Sequence, residues 1–448
     1  MPKQLFGTDG VRGTPGHYPL DDATLYWMGR SVGEYLRAAE PAPTVLLGVD
    51  TRESGPHIAG WIACGLAAAG AQPVYAGVLT TPGVAYLVRA LNFSAGVVVS
   101  ASHNPYTDNG VKLIARTGMK FPDAIEEALE QHILARQQQP PPAGPEARLE
   151  PQPGLGNRYL EFLAGRVPAE AKLAGMKIVL DCANGAASAL GPELFRRLGA
   201  EVVAIGDAPD GRNINDGCGS LHPERLRETV VATGAAMGAA FDGDADRAIF
   251  VSASGQIVNG DGTLLAAARE MKAAGTLRGG VVVGTTMANL GLELALAAEG
   301  LRLERVPVGD RYVLEGMQRL GANLGGEQSG HIIFLDDHTT GDGLLTAVKM
   351  AALVVCRGPL DQLVTGLNIF PQTILNVPVR AKPPLETLPT VARALAEAER
   401  ALGRRGRVVL RYSGTEPLAR VMVEAEREAD VERFSRAIAE AVREAIGA

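Results

Sequence analysis

The sequence predicts an α/β fold: three related α/β domains with mixed sheets, followed by a smaller C-terminal α+β domain. Three observations carry the prediction. Short apolar runs alternate with helical patterns along most of the 448 residues, as parallel strands joined by helices require. Three of these runs lead into the same sequel, a small polar loop and then a helical stretch. From residue 369 the order changes to strand, long helix, strand–loop–strand and helix, which is not a fourth copy.

Taken in order, Asp21 and Asp22 can cap a first helix that carries Leu25, Met28, Val32 and Leu36 on one face. Val45–Val49 reads as a strand leading into Asp50-Thr51-Arg52-Glu53-Ser54-Gly55. The run Gly96–Val99 reads as a buried parallel strand, and Asn104-Pro105 as the turn that closes its loop. Pro122-Asp123 opens a helix bearing Ile125, Leu129 and Ile133. Lys177–Leu180 leads into Asp181-Cys182-Ala183-Asn184-Gly185, and Val281–Val283 into Gly284-Thr285-Thr286-Met287-Ala288-Asn289. These two repeat the order seen at Val45, which reads as one unit used three times. Met237–Phe241 is a further strand. Val431, Phe434, Ile438 and Val442 form the core-facing stripe of a last helix.

The clearest linker runs from Gln137 through Pro142 to Gly154, rich in Pro, Gln and Gly. A turn at Ser252–Gly255 and the stretch Leu367–Pro371 mark two further breaks. The expected domains are 1–150, 151–252, 253–368 and 369–448. Composition narrows the class: 46% hydrophobic and 21% charged residues describe a globular chain, and a net charge of −7 argues against a nucleic-acid partner. Cys64, Cys182, Cys218 and Cys356 are far apart and form no CxxC, so neither a zinc cluster nor a disulfide scaffold is expected, and a reducing compartment fits. Met1–Gly7 has no signal-peptide core, and no apolar run approaches the ~20 residues of a membrane span. The best such run, Met350–Cys356, is bounded by Lys349 and Arg357. A cytoplasmic protein with no membrane partner is the expectation.

Chemistry concentrates in five loops. Ser102, in Ser100-Ala101-Ser102-His103-Asn104-Pro105, places a hydroxyl at the carboxyl end of a strand, where open α/β sheets build ligand sites. It lies in no G-x-S-x-G elbow. His103 beside it is either an acid/base group or a loop side chain holding phosphate. Lys112 either assists proton transfer, neutralises phosphate charge or is a solvated surface lysine. Asp242-Gly243-Asp244-Ala245-Asp246-Arg247 follows the strand Met237–Phe241; its three carboxylates either converge where the backbone curls at Gly243, as oxygens suited to a hard cation such as Mg²⁺, or form a solvated acidic turn. An EF-hand is excluded, because Arg247 stands at its glycine position and Ala253 at its bidentate acid. Gly325–His331 surrounds Glu327, Gln328, Ser329 and His331 with glycines, a set able to hydrogen-bond vicinal sugar hydroxyls or to form a polar turn. Arg411–Pro417 offers Arg411, Ser413, Thr415 and successive N–H groups between two β-like runs: an anion nest, to which Arg420 can add, or an ordinary hairpin loop. Phe6–Gly13 holds Arg12, which either touches phosphate or pairs with Asp9. Nucleotide-triphosphate, dinucleotide and zincin motifs are missing.

These five loops, in this order and over essentially the whole chain, resemble the α-D-phosphohexomutase superfamily, and within it the branch that acts on glucosamine phosphates. The resemblance implies four domains around a central cleft. It implies a phosphorylated Ser102 and one Mg²⁺ per chain on Asp242, Asp244 and Asp246, with the phosphoserine at Ser102 as a further ligand. Glu327 and Ser329 match its sugar-binding loop, and Arg411, Ser413, Gly414 and Thr415 the loop for the non-transferring phosphate. Arg12, Lys112, Arg247 and His331 match positions lining the cleft, and Asp310-Arg311-Tyr312 a loop contacting the sugar. The implied reaction interconverts glucosamine 6-phosphate and glucosamine 1-phosphate through a 1,6-bisphosphate, with Lys112 or His103 as base, a sugar phosphate as partner, and a homodimer among the assemblies allowed. A mutase for glucose or mannose phosphates, a Mg²⁺-dependent sugar phosphatase and a non-catalytic binding protein are the competing readings.

Overall fold

The computed structural model describes residues 5–7, 10–141, 144, 149–413 and 417–448. Thr8, Asp9, Pro142, Gly414, Thr415 and Glu416, all named above, lie outside them. Among the described residues no helix is long and apolar enough to cross a membrane. The chain divides into two compact units: Met1–Thr285 with Val306–Thr365, and Thr286–Arg305 with Gly366–Ala448.

The first unit opens with β1 (Val11–Gly13), α1 (Asp22–Arg37), β2 (Thr44–Val49), α2 (Gly55–Ala68), β3 (Gln72–Val78), α3 (Thr81–Ala90), β4 (Ala95–Val99), β5 (Asn109–Ala115) and α4 (Asp123–Leu134). Asp21 caps α1 as expected, its carboxylate accepting from Thr24 N. Helices α1 and α2 pack with their backbones touching: a Cβ on Gly29 would stand 2.1 Å from Ile62 O, and one on Gly65 2.1 Å from Tyr26 O. Only glycine permits that approach.

Next come α5 (Leu155–Ala164), β6 (Lys177–Asp181), α6 (Ala187–Arg197), β7 (Glu201–Ile205), α7 (Glu224–Thr233), β8 (Met237–Phe241), β9 (Ala248–Ser252) and β10 (Ile257–Val258). The turn at Ser252–Gly255 joins β9 to β10 in one antiparallel hairpin, so this sheet runs on to Val258. The third set is α8 (Gly260–Ala273), β11 (Val281–Thr285), α9 (Leu290–Ala298), β12 (Arg302–Val306), α10 (Asp310–Leu320), β13 (Leu324–Gly326), β14 (Ile332–Phe334), α11 (Gly343–Arg357) and α12 (Leu360–Leu363). The apolar run Met350–Cys356 is the end of α11.

Repetition is explicit in the sheets. The first has the order β1-β5-β4-β2-β3 and the second β10-β9-β8-β6-β7. In each, a central strand (β2 or β6) pairs parallel with both neighbours, and the strand after β4 or β8 runs back antiparallel. In the third, β11 pairs parallel with β13, and β13 antiparallel with β14, which repeats the same centre. Mixed sheets in three related domains are therefore present as predicted. Strands β4 and β8 are buried along their whole length, as strands covered on both faces must be.

The second unit ends the chain with β15 (Gln372–Pro378), α13 (Pro389–Leu402), β16 (Gly406–Tyr412), β17 (Leu418–Ala425) and α14 (Glu428–Ile446). Its antiparallel sheet, β15-β17-β16, is covered by α13 and α14, and Val431, Phe434, Ile438 and Val442 enter the core as their spacing predicted. The segment bearing α9 is bolted to this sheet. Buried Glu424 accepts from Leu290 N and pairs with Arg407, whose other nitrogens reach the carbonyls of Thr286 and Ala288.

Candidate active site

Each of three loops begins where the strand beside a central strand ends. Ser102 follows β4, Asp242 follows β8 and Glu327 follows β13, the equivalent strand in each sheet. The repeated unit thus delivers three different sets of side chains from one topological position, at the carboxyl edge where parallel sheets leave room for ligands.

Ser102 is buried and adopts φ +52°, in the left-handed region that non-glycine residues enter at a cost of about 1–2 kcal/mol. That conformation turns its hydroxyl onto Asp242: Oγ donates to Oδ2 at 2.7 Å. A Cβ on Gly243 would lie 2.5 Å from Ser102 O, so the two loops touch where glycine allows it. His103 Nδ1 lies 3.3 Å from Ser102 Oγ and 3.3 Å from Arg247 Nη1. Burial, then Arg247 and Arg12, press the His103 pKa down to about 4. Arg247 can only donate, so the neutral ring carries its proton on Nε2, and its single Nδ1 lone pair lies within reach of both Arg247 and the serine. Arg12 Nη1 donates to Asn104 Oδ1 at 3.0 Å, because β1 pairs with β5 and brings the amino-terminal loop alongside.

Asp242, Asp244 and Asp246 are buried and each offers an oxygen within 4.8 Å of the others. Burial, reinforced by Asp246 and Asp244, holds the Asp242 carboxyl well above its ordinary range. Burial would raise Asp246 too, but Lys112, His331 and Arg247 outweigh it and hold that carboxyl well below. Asp244 Oδ2 accepts from Lys112 Nζ at 2.9 Å and from Thr81 Oγ1 at 2.6 Å; Lys112 also stands 3.7 Å from Asp246. Lys112 is only 1% exposed, so the solvated-lysine reading falls. Its ammonium, committed to two carboxylates, holds charge rather than a free lone pair.

The donor set fits a hard divalent cation. Its donors are carboxylate oxygens, and Oδ1 of both Asp244 and Asp246 is buried with no hydrogen-bond partner. Such orphaned acceptors are costly unless something charged binds them. His331 is buried at 3.6 Å from Asp246. Burial opposes a proton on it, while Asp246 pulls its pKa up to about 9. Gly341 N donates to Nε2 at 3.1 Å and so opposes the second ring proton that such a pKa implies, leaving Nδ1–H to face Asp246.

Glu327 is nearly buried and its Oε1 accepts from Gly309 N at 3.1 Å; Ser329 Oγ is buried without a hydrogen-bond partner. Asp310, Arg311 and Tyr312 open α10. There Asp310 pairs with Lys120 at 2.8 Å, and Arg311 with Asp123 and Glu315. In the second unit, β16 and β17 set Arg411 directly opposite Arg420. Burial and Arg420 together lower the Arg411 pKa. Like charges directly opposite one another on a sheet repel. Ser413 is buried beside them, and Lys382 Nζ donates to its carbonyl at 2.7 Å.

Family models cover nearly all of this. Those described as phosphoglucomutase/phosphomannomutase α/β/α domains I, II and III match residues 3–140, 157–255 and 259–368, and the C-terminal domain matches 374–441. A phosphoglucosamine mutase of Solibacter usitatus is 53% identical over 448 residues, the whole of both chains. The chain belongs to the phosphoglucomutase/phosphomannomutase family of α-D-phosphohexomutases. Another phosphoglucosamine mutase, from Thermus thermophilus, is 46% identical over 98% of each chain. A phosphoglucomutase/phosphomannomutase family protein from Burkholderia thailandensis has the same fold, with a TM-score of 0.80 at 26% identity over 98% of this chain and 97% of its own.

This α-D-phosphohexomutase chain also brings to these loops residues that its sequence did not single out. Thr81 opens α3, and besides its hydroxyl contact its N–H donates to the Asp244 carbonyl at 3.0 Å. A threonine at a helix start carries no local sign that it faces an aspartate 163 positions away. Lys382 gave no signal either, since only the fold of the last domain brings it to Ser413.

Proposed function

We propose that this chain interconverts glucosamine 6-phosphate and glucosamine 1-phosphate through a phosphoryl group carried on Ser102 and a 1,6-bisphosphate. One observation carries the reading: a serine hydroxyl, held in a strained conformation, donates to a buried three-carboxylate cluster suited to a divalent cation. Full-length likeness to chains named phosphoglucosamine mutase supports the choice of sugar.

In the forward half-reaction a free sugar hydroxyl attacks phosphorus, and the bond from phosphorus to Ser102 Oγ breaks as the bond to the sugar oxygen forms. The sugar hydroxyl proton leaves to a base. On return, Ser102 Oγ attacks the other phosphate of the bisphosphate and its proton passes to His103 Nδ1, 3.3 Å away, in place of the Arg247 contact. Asp242, Asp244 and Asp246, with the phosphoserine, would hold Mg²⁺, which supplies charge opposite the transferring oxygens. Arg247 adds fixed positive charge there. Glu327, Ser329 and His331 are the groups we assign to the sugar. Arg411, Ser413, Gly414, Thr415 and Arg420 are those we assign to the phosphate that does not react. A dedicated holder for a second phosphate favours a mutase over a phosphatase. Domains divided near residues 150, 258 and 368, one loop to each, are the organisation we assign to it, the second boundary falling after β10 rather than at 252. A cytoplasmic location fits four cysteines that form no disulfide.

The test is turnover with Mg²⁺ and a trace of sugar 1,6-bisphosphate, comparing the 6-phosphates of glucosamine, glucose and mannose by kcat/KM. Preference for glucosamine 6-phosphate supports the assignment. Preference for either of the others replaces the substrate, and release of free phosphate replaces the reaction.

A further inference from the structure

Behind the Ser102 loop lies a buried polar network that takes no part in the steps above. Asp50, the first residue after β2, is 1% exposed, and so is Arg52 two residues later. Asp50 Oδ1 accepts from Arg52 N at 3.0 Å, and its Oδ2 is shared by the Arg52 guanidinium and by Ser100 Oγ, the latter at 2.5 Å. Ser100 Oγ in turn accepts from Ser102 N at 3.0 Å. From the other side, Arg52 Nη2 donates to Ser102 O at 3.2 Å and to Asn104 O at 2.6 Å. Asn215 Nδ2 donates to the same two oxygens, at 2.9 and 3.0 Å. Four donor contacts thus converge on the two carbonyls that flank His103, and the amide of Ser102 is held as well.

The repeat shows that this is an addition to the basic unit. Asp181, the last residue of β6, makes the corresponding side-chain contact, its Oδ1 accepting from Ala183 N at 3.0 Å, though Ala183 sits at φ +54°. There the residue two positions on is alanine and clamps nothing. In the first domain the residue two positions after the aspartate is Arg52, whose guanidinium crosses to the neighbouring loop.

We propose that Arg52 and Asn215 are positioning residues for phosphoryl transfer: they hold the Ser102–Asn104 backbone in the left-handed turn that aims Oγ between Asp242 and His103. A left-handed serine relaxes unless its surroundings over-determine it, and here the surroundings are these two side chains from separate domains, neither of which reaches the reacting atoms. The inference rests on the mutase reading for its kinetic consequence and on geometry alone for the clamp.

Two variants test it. Asn215→Gly removes two donors without stranding a charge, and glycine accepts the φ +59° found at that position. The double variant Asp50→Asn with Arg52→Met removes the guanidinium together with its counter-charge. Hydrogen–deuterium exchange of the peptide spanning residues 99–105 is measured first, and is expected to accelerate at least tenfold relative to wild type while the β6–β8 peptides keep their protection. Turnover of glucosamine 6-phosphate with glucosamine 1,6-bisphosphate is measured next. A loop displaced by about 1 Å should cost kcat ~10²-fold, with KM changed less than threefold. Unchanged exchange in the loop overturns the clamp whatever the activity. Faster exchange with wild-type kcat overturns its role in catalysis. Faster exchange in a protein whose wild type turns over none of the sugars supports the clamp and removes the mutase reading instead.

Discussion

Replacing His338 with glutamine should make the folded protein less sensitive to acid. His338 is fully buried; its Nε2–H donates to Pro82 O at 2.9 Å and its Nδ1 accepts from Thr339 N at 2.8 Å, so the neutral ring satisfies both neighbours. Burial, aided by Arg89 and opposed by Asp337, presses its pKa down to about 4. In the unfolded chain the same ring titrates near 6.5. As pH falls through that window the unfolded state takes a proton that the folded state refuses. Stability from this residue is therefore intact above pH 6.5 and lost towards pH 4. Between pH 7 and 4.5 the loss is roughly 2 kcal/mol. Buried Asp342 works in the opposite sense. Burial pushes its pKa up to about 7, and Tyr159 Oη donates to it at 2.9 Å. Its folded carboxyl keeps a proton that the unfolded one releases near pH 4, so its contribution to stability falls as pH rises from 4 to 7. The two slopes nearly cancel in the wild type, and either substitution exposes the other. Urea unfolding of wild type, His338→Gln and Asp342→Asn at pH 7 and 4.5 isolates each. Relative to wild type, His338→Gln should gain about 2 kcal/mol on going to pH 4.5, and Asp342→Asn should lose a similar amount. A His338→Gln minus wild-type difference that is the same at both pH values would refute the reasoning, as would a His338 ring found titrating above pH 6 by NMR.

Three further outcomes concern the site. Thr81→Val keeps the shape of the side chain but takes a 2.6 Å donor from Asp244; Mg²⁺ affinity by calorimetry should fall about tenfold, and an unchanged Kd would exclude a positioning role. Gly243→Ala sets a methyl group 2.5 Å from Ser102 O; kcat should drop by about 10² with the circular dichroism spectrum retained, and wild-type kcat would mean the two loops can part without consequence. Arg420→Gln removes one of the two facing guanidiniums; KM for the sugar phosphate should rise about tenfold or more, the worth of one charge-assisted hydrogen bond, and an unchanged KM would move the anion site elsewhere.

What the sequence made legible was whatever is written locally. The strand before Ser102, the strand before Asp242, the Asp21 cap and the stripe from Val431 to Val442 each need only a few neighbouring residues to be read, and each is present. The convergence of Asp242, Asp244 and Asp246 was legible for the same reason, since one curled loop brings them together. Partners contributed by another domain were not. Thr81 and Lys112 meet Asp244 across 163 and 132 positions, and Asn215 meets Ser102 across 113. Nothing in a threonine, a lysine or an asparagine announces a partner at that separation. The contacts of residues 286–305 were hidden too: from the last sheet Glu424 reaches Leu290 N, and Arg407 the carbonyls of Thr286 and Ala288.

The pairing of β1 with β5 sets an order of events during synthesis. Val11 lies opposite Val111, so the first strand made is an edge strand whose partner emerges roughly a hundred residues later, about 5–20 s at ribosomal speed. The second sheet has no such delay, because β10 follows β9 directly. On the ribosome the central strands β2, β3 and β4 are therefore available to pair while the segment bearing Arg12 still waits. Arg12 reaches Asn104 only once β5 has been laid down. A nascent chain halted before β5 would hold Ser102 without the Arg12–Asn104 contact beside it.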